Sequence, residues 1–190
     1  EVELTREDLI AEEDVVITVT HSGYIKRTAT SLYHPQGRGG KGRIGMTTRD
    51  EDFIDHLFVA STHSYLLVFT NRGQVYWLKV YNIPDVGAAG KGKAIVNLVN
   101  INKDEKIADI IAVKSFDTDQ YVVMATRNGI IKKTELSEFS NPRSSGIIGI
   151  YVPDDDEVIG CQLTDGSYDV LLATRMGKAI RFSEKTVRKM

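Results

Sequence analysis

Apolar residues in this chain fall in short runs, not at helical spacing. Four of the runs share one frame. Val16-Ile17-Thr18-Val19, Leu66-Leu67-Val68-Phe69, Val122-Val123-Met124-Ala125 and Val170-Leu171-Leu172-Ala173 each lead directly into Thr-x-x-Gly, ending at Gly23, Gly73, Gly129 and Gly177. Thr-x-x-Gly by itself is a common pattern. The specificity comes from the flanks, where fifteen of the sixteen positions are apolar, and the glycines recur 50, 56 and 48 residues apart. Each run, closed by a turn at Gly and followed by an alternating stretch such as Tyr24-Ile25-Lys26-Arg27-Thr28, predicts strand, tight hairpin, strand, and Asn128-Gly129 predicts a type I′ turn. A further apolar run precedes every hairpin but the first, at 54–60, 107–113 and 158–163. Each unit then holds about four short strands, the pattern of a propeller blade whose sheet faces are buried against its neighbours. Helical signals are weak; Thr5-Arg6-Glu7-Asp8 caps one short turn at most. The expected fold is all-β: one domain over 1–190, with blade-like repeats centred on Gly23, Gly73, Gly129 and Gly177 and a connecting segment at 1–12. The fourth copy reaches Met190 without a glycine loop, so about three and a half blades of a longer array, with unpaired strand edges, are expected.

Composition narrows the function classes. Cys161 is the only cysteine among 190 residues, so an internal disulfide and a structural zinc site are excluded. No stretch approaches the roughly 18 apolar residues of a membrane helix, and the N-terminus is acidic, unlike a signal peptide. The expectation is a soluble, cytoplasmic protein with no membrane partner. Net charge is only −2, but the charges segregate with the repeat. Residues 21–49, 71–93, 127–149 and 175–190 together carry +16, whereas 1–20, 50–70, 94–126 and 150–174 carry −18. In a radial array the same half of every blade occupies an equivalent place, so the basic halves form a belt suited to a long polyanion. Lysines that merely guard strand edges are the alternative reading. Recurrence argues for the belt: the fourth residue after each turn glycine is Arg27, Trp77, Lys133 or Arg181.

A second glycine follows 17 residues after the first in three copies (Gly40, Gly90, Gly146), with Pro35, Pro84 or Pro142 shortly before it. The first of these loops, His34-Pro35-Gln36-Gly37-Arg38-Gly39-Gly40-Lys41-Gly42-Arg43, combines glycines with three cations and no acid, a composition that lets backbone and cations approach phosphate together. Gly37-x-Gly39-x-x-Gly42 matches a dinucleotide fingerprint in form, but strands follow it where that motif needs a helix. The Walker pattern fails, since Pro35 stands where its first glycine is required and Gly42 where its Ser or Thr is.

Gln36-Gly37-Arg38-Gly39-Gly40-Lys41-Gly42 resembles the seven-residue box, Gln-(Arg/Lys)-Arg-Gly-Gly-Lys-Gly, of the C-terminal domain of bacterial DNA gyrase A. The resemblance runs over nearly the whole chain, including Val75-Tyr76-Trp77-Leu78-Lys79-Val80-Tyr81 and Gly92-Lys93-Ala94-Ile95-Val96-Asn97-Leu98. Gly37 departs from it and removes one cation from the loop. The resemblance implies a β-pinwheel, a propeller-like disc with strands exchanged between neighbours, whose basic rim binds, bends and wraps double-stranded DNA without reading sequence and so directs negative supercoiling. It implies no catalysis in this chain: the active-site tyrosine and the ATPase, with its ATP and Mg, belong elsewhere in an assembly of gyrase A with gyrase B, and no cofactor is expected here. On that basis the box residues, with Arg43, grip the DNA backbone, and Lys26, Arg27, Lys79, Lys91, Lys93, Lys132, Lys133, Arg143, Lys178 and Arg181 extend the track. Two alternatives are the topoisomerase IV C-terminal domain, which bends DNA without a full wrap, and a propeller facing an acidic protein. No nucleophile, base and orienting group recur together as an enzyme would need. Cys161 is expected in the core and Trp77 in rim or inter-blade packing. His21, His34, His56 and His63 lack ligand spacing, and Asp154-Asp155-Asp156-Glu157 is expected as a solvated turn rather than a cation site.

Overall fold

The computed structural model describes residues 5–33 and 52–190. Every regular element longer than a 3-10 turn is a strand: β1 Asp14–Thr20, β2 Tyr24–Ala29, β3 Ile54–Ser61, β4 Tyr65–Thr70, β5 Gln74–Lys79, β6 Lys93–Ala94, β7 Ile107–Val113, β8 Tyr121–Thr126, β9 Ile131–Glu135, β10 Ile147–Ile148, β11 Val158–Thr164, β12 Asp169–Ala173 and β13 Ala179–Ser183. They form sheets in the orders β3–β1–β2–β6, β10–β5–β4–β7, β11–β8–β9 and β12–β13. The protein is all-β and built of small propeller-like blades.

The four Thr-x-x-Gly motifs have one geometry, and it explains both fixed residues of the pattern. In each copy the glycine N–H donates to the threonine carbonyl at 2.9–3.0 Å. The threonine Oγ1 accepts from the amide after the glycine, at 3.0–3.2 Å. The glycines sit at φ +87°, +81°, +93° and +78°, and no other residue type has positive φ among the described residues. A type I′ turn needs positive φ at both central residues, so the expectation at Asn128-Gly129 is corrected: the hairpins use a type I turn closed by a left-handed glycine.

The strands are shared out differently from their order in sequence. The apolar run at β3 pairs with β1 (Val16↔Val59, Ile17↔Phe58), and β11 pairs with β8 (Cys161↔Met124, Leu163↔Val122). Each run therefore completes the hairpin before it, not the hairpin it precedes. The last strand of a blade comes from the next glycine loop: β6 adds to β2 through Tyr24↔Ala94 and Ile25↔Lys93, and β10 adds to β5 through Ile147↔Val75. Gly92 and Gly146, at φ +73° and +70°, immediately precede these exchanged strands. They are the equivalent positions, so the second copy's loop is two residues longer than the third's and Gly90 lies inside it.

The chain divides into two compact units. The first takes in the described residues of Glu1–Leu67 with Tyr76–Asp104 and Ala112–Lys114. Its core contains Val15, Ile17, Val19, Ile25, Val80 and Ile95, all buried. Its N-terminal segment is latched down: Thr62 Oγ1 donates to the Ala11 carbonyl at 2.8 Å, His63 Nε2 lies 2.7 Å from that of Ile10, and Lys79 Nζ is 2.9 Å from Glu7. The expected short turn is there as a 3-10 turn at Glu7–Leu9, with Thr5 and Asp8 bonded to each other. The second unit takes in Val68–Val75, Glu105–Ile111 and Ser115–Met190. Phe69 meets Phe139 edge-on at 6.3 Å, and Val122, Met124, Leu136 and Cys161 are buried with them. Burial, with Asp109 nearby, pushes the Cys161 thiol well above the usual range, so it stays a neutral core side chain.

Candidate nucleic-acid interface

Two acids of the negative halves, Asp52 and Asp156, are used inward, on hairpin turns. Asp52 Oδ1 accepts the amides of Ser22 (2.9 Å) and Phe53 (3.0 Å), and Ser22 Oγ donates to Oδ2. Burial opposes its charge, but the bonds from Ser22, Thr20 and the two amides outweigh that and hold the carboxyl at about 2. Asp156 repeats the arrangement, accepting from Asn128 and Glu157 at 2.9 and 2.8 Å. The 153–157 turn is gripped by two arginines of the basic halves. Arg72 donates to the carbonyls of Asp156, Val152 and Pro153 at 2.7–3.2 Å, and Arg127 donates to Glu157 Oε1 and the Asp155 carbonyl at 3.1 and 3.0 Å. This turn is therefore a clamped structural element, not merely a solvated one. Sequence reasoning singled out neither arginine, because the bonds span some eighty and thirty residues.

Of the ten cations expected on the rim, two are buried. Lys26 has no exposed surface, and its ammonium donates to the Gly87 and Ala88 carbonyls at 3.1 and 2.6 Å. Lys133 is buried 3.2 Å from Glu184 Oε2 and lies over the Tyr121 ring at 4.4 Å. Side chains buried in this way have no surface to offer a phosphate, and both leave the rim for this reason. Four more are engaged within the protein. Arg27 Nε donates to the Ile83 carbonyl at 2.8 Å, Lys132 Nζ to that of Gly149 at 2.9 Å, Lys79 holds Glu7 and the His63 carbonyl, and Arg181 lies against Asp169.

Lys91, Lys93, Arg143 and Lys178 remain, all exposed and without an ion pair among the described residues. Arg175, Lys185 and Arg188 are exposed as well. The charge count over 175–190 includes them, but no repeat position marks them. The box itself, Gln36, Gly37, Arg38, Gly39, Gly40, Lys41, Gly42 and Arg43, lies outside the described residues, as does His34.

The second copy's glycine loop shows how such a loop is built. Its backbone oxygens turn toward β2: Pro84 O accepts the Arg27 amide at 3.1 Å, Val86 O accepts Thr28 Oγ1 at 3.0 Å, and Gly87 and Ala88 accept Lys26. A Cβ on Gly92 would lie 2.3 Å from the Ile25 carbonyl oxygen, so only glycine lets the loop lie against the strand. Half-buried Trp77 lies on β5, and no cluster of metal-ligating side chains occurs among the described residues. Nor is any described helix long and apolar enough to cross a membrane.

A family model described as "DNA gyrase C-terminal domain, beta-propeller" matches residues 14–61, 64–114, 120–165 and 168–190, one segment per repeat. DNA gyrase A of Haemophilus influenzae is 47% identical over 97% of the chain, and that of Clostridium acetobutylicum 48% identical over 96%. The chain spans 21% and 22% of those two proteins, about a fifth of their length. Among solved structures, the C-terminal domain of DNA topoisomerase IV superposes with a TM-score of 0.79 at 35% identity, over 95% of this chain and 55% of that one. The DNA gyrase A C-terminal domain superposes at 0.74 and 29% identity, over 94% and 57%.

Proposed function

The chain belongs to the DNA gyrase C-terminal domain family of β-propeller repeats, and on that premise we propose that it binds duplex DNA through its glycine-loop halves and bends the duplex into a wrap. The gyrase reading is favoured over the topoisomerase IV alternative because the family model and both sequence relatives are gyrase proteins. The observation that carries the proposal is the distribution of exposed cations once internal partners are removed: Lys91, Lys93 and Arg143 lie on glycine loops and Lys178 beside a hairpin turn, all in basic halves of the repeat.

Bending a segment of 20 to 30 base pairs by 40 to 90° costs on the order of 1 to 6 kcal/mol, which several phosphate contacts must offset. Contacts of this kind give affinity and path but little sequence preference. The box cations Arg38, Lys41 and Arg43 form one grip and the exposed cations of the later copies extend it. The chain contributes no chemistry of its own; in this reading it serves a cytoplasmic holoenzyme of gyrase A and gyrase B, which supplies strand cleavage and ATP hydrolysis and uses the wrap to direct negative supercoiling.

The test is affinity for a duplex of about 40 base pairs across a salt series, for the protein and for a variant with Arg38, Lys41 and Arg43 changed to Ala. Each neutralised phosphate contributes roughly 0.9 to the slope of log affinity against log salt, so the variant's slope is expected to shrink by about two to three units. Binding that is absent, or indifferent to the substitutions, overturns the proposal and favours an acidic protein partner.

A further inference from the structure

The four hairpin turns are built alike but differ at the residue before the glycine, which is Ser22, Arg72, Asn128 or Met176. Asn128-Gly129 is the only Asn-Gly step in the chain; every other asparagine precedes Arg, Ile, Leu, Lys or Pro. The pair is chemically distinct. Asparagine is a thermolabile residue because its side-chain carbonyl carbon can be attacked by the backbone nitrogen that follows, and glycine puts no side chain in the way of that attack.

The fold leaves this pair open. Residues 127–130 are exposed, and the Asn128 side chain has no hydrogen-bond partner among the described residues. A Cβ on Gly129 would meet nothing within 4 Å, whereas one on Gly73 would lie 2.1 Å from the Ile150 oxygen. The second hairpin is therefore packed over and the third is not. What holds the third turn is its own bonds: the Gly129 amide donates to the Thr126 carbonyl at 3.0 Å, the Ile130 amide to Thr126 Oγ1 at 3.0 Å, and the Asn128 amide to Asp156 Oδ1 at 2.9 Å. The first of these must open before the Gly129 nitrogen is free to react, and a solvent-facing turn bond opens at little cost.

We propose that Asn128 is a site of spontaneous covalent modification. The deprotonated Gly129 nitrogen attacks the Asn128 side-chain carbonyl carbon, the new C–N bond closes a succinimide ring, and the side-chain nitrogen leaves as ammonia, carrying the proton given up by Gly129. Water then opens the ring at either carbonyl and yields aspartate or isoaspartate, with nothing oxidised or reduced. Both products place a negative charge beside Asp156, in a basic half of the repeat. Isoaspartate also inserts a methylene into the backbone between residues 128 and 129, which breaks the span over which Thr126 and Gly129 close the turn. The chemistry marks the third hairpin and spares the other three.

The test incubates the full 190-residue protein in mildly alkaline buffer beside Asn128→Ser, which carries the residue that the first turn already holds. Peptide mass mapping reads the exchange of NH2 for OH, and an isoaspartate-specific methyltransferase with labelled methyl donor counts isoaspartate. Product is expected first and predominantly in the peptide holding Asn128, and Asn128→Ser is expected to lose most of the chain's isoaspartate signal. A urea-unfolded sample sets the upper rate, since its turn bond is absent. Modified chains, separated by their added charge, are expected to exchange the Gly129 and Ile130 amides faster, with Gly23 and Tyr24 of the first turn unchanged. Product appearing first at another asparagine, an Asn128 that reacts only in urea, or modified chains with undisturbed exchange at Gly129 and Ile130 overturns the proposal.

Discussion

Replacing Glu184 by Gln makes a sharp test of how the second unit is held together. Glu184 is fully buried and takes four bonds: from Lys133 Nζ at 3.2 Å and Thr164 Oγ1 at 2.7 Å on Oε2, from the Tyr168 amide at 2.7 Å on Oε1, and from Lys133 Nζ again at 3.3 Å on its own carbonyl. Burial opposes the charge, but the bonds from Thr164, Tyr168 and Lys133 prevail and hold the carboxyl below the usual glutamate range. Glutamine keeps the shape and can still accept from Tyr168, but its amide NH2 then replaces the oxygen that faces both Lys133 and Thr164. Lys133 is then a buried charge without its counter-ion, which costs about 3–5 kcal/mol. At roughly 2–4 °C per kcal/mol for a chain of this size, melting should fall by about 10 °C. Lys133→Met should cost a similar amount by stranding Glu184. The double variant should recover to within about 1 kcal/mol of wild type, since a buried pair can be exchanged for neutral groups far more cheaply than it can be broken. Urea unfolding of the four proteins, read as a double-mutant cycle, provides the assay. Single variants costing under about 1 kcal/mol, or a double variant whose loss is the sum of the two, would show that Lys133 and Glu184 are not a coupled buried pair.

Alanine at three turn glycines should separate strain from collision. Gly129 has φ +93° but open space around a Cβ, so Gly129→Ala costs only the left-handed conformation, roughly 1–2 kcal/mol, whereas Gly73→Ala and Gly92→Ala also drive a Cβ to 2.1 Å from the Ile150 oxygen and 2.3 Å from that of Ile25 and should cost clearly more in urea unfolding. Asp52 titrates at about 2 in the folded protein against 3.8 as its ordinary value, so its stabilisation is complete above about pH 4 and is lost as pH falls toward 2; Asp52→Asn should flatten the pH dependence of melting in that window. Arg72→Ala, which removes three bonds to carbonyls from a side chain 32% exposed, should cost about 2 kcal/mol and open the 153–157 turn to protease, while Arg127→Ala, at 59% exposed, should cost under about 1 kcal/mol in the same unfolding assay.

The hairpins were legible because their chemistry is local: Thr20 to Gly23 closes its own turn, and so do the three later copies. Strand partnership was not, because an apolar run such as β3 carries nothing that says whether the hairpin before it or after it supplies its ladder. Asn128-Gly129 suggested the wrong turn type since glycine alone, at the last turn position, carries the positive φ. Lys26 and Lys133 read as rim cations because lysine is nearly always solvated, and a sheet covered on both faces removes the water the reading assumes. The acceptors that decide their fate are 61, 62 and 51 residues further along the chain. The charge segregation was visible in full, but part of its meaning is structural: Asp52 and Asp156 cap turns, while Arg72 and Arg127 clamp one.

If exposed cations of the glycine-loop halves bend duplex DNA, ligase-catalysed circularisation of a fragment of about 150 base pairs, one persistence length, reads that bending out. Wild-type protein should accelerate ring closure, and the variant with Arg38, Lys41 and Arg43 changed to Ala should lose most of that acceleration. Ring closure left unchanged on fragments that the protein demonstrably occupies would contradict the account.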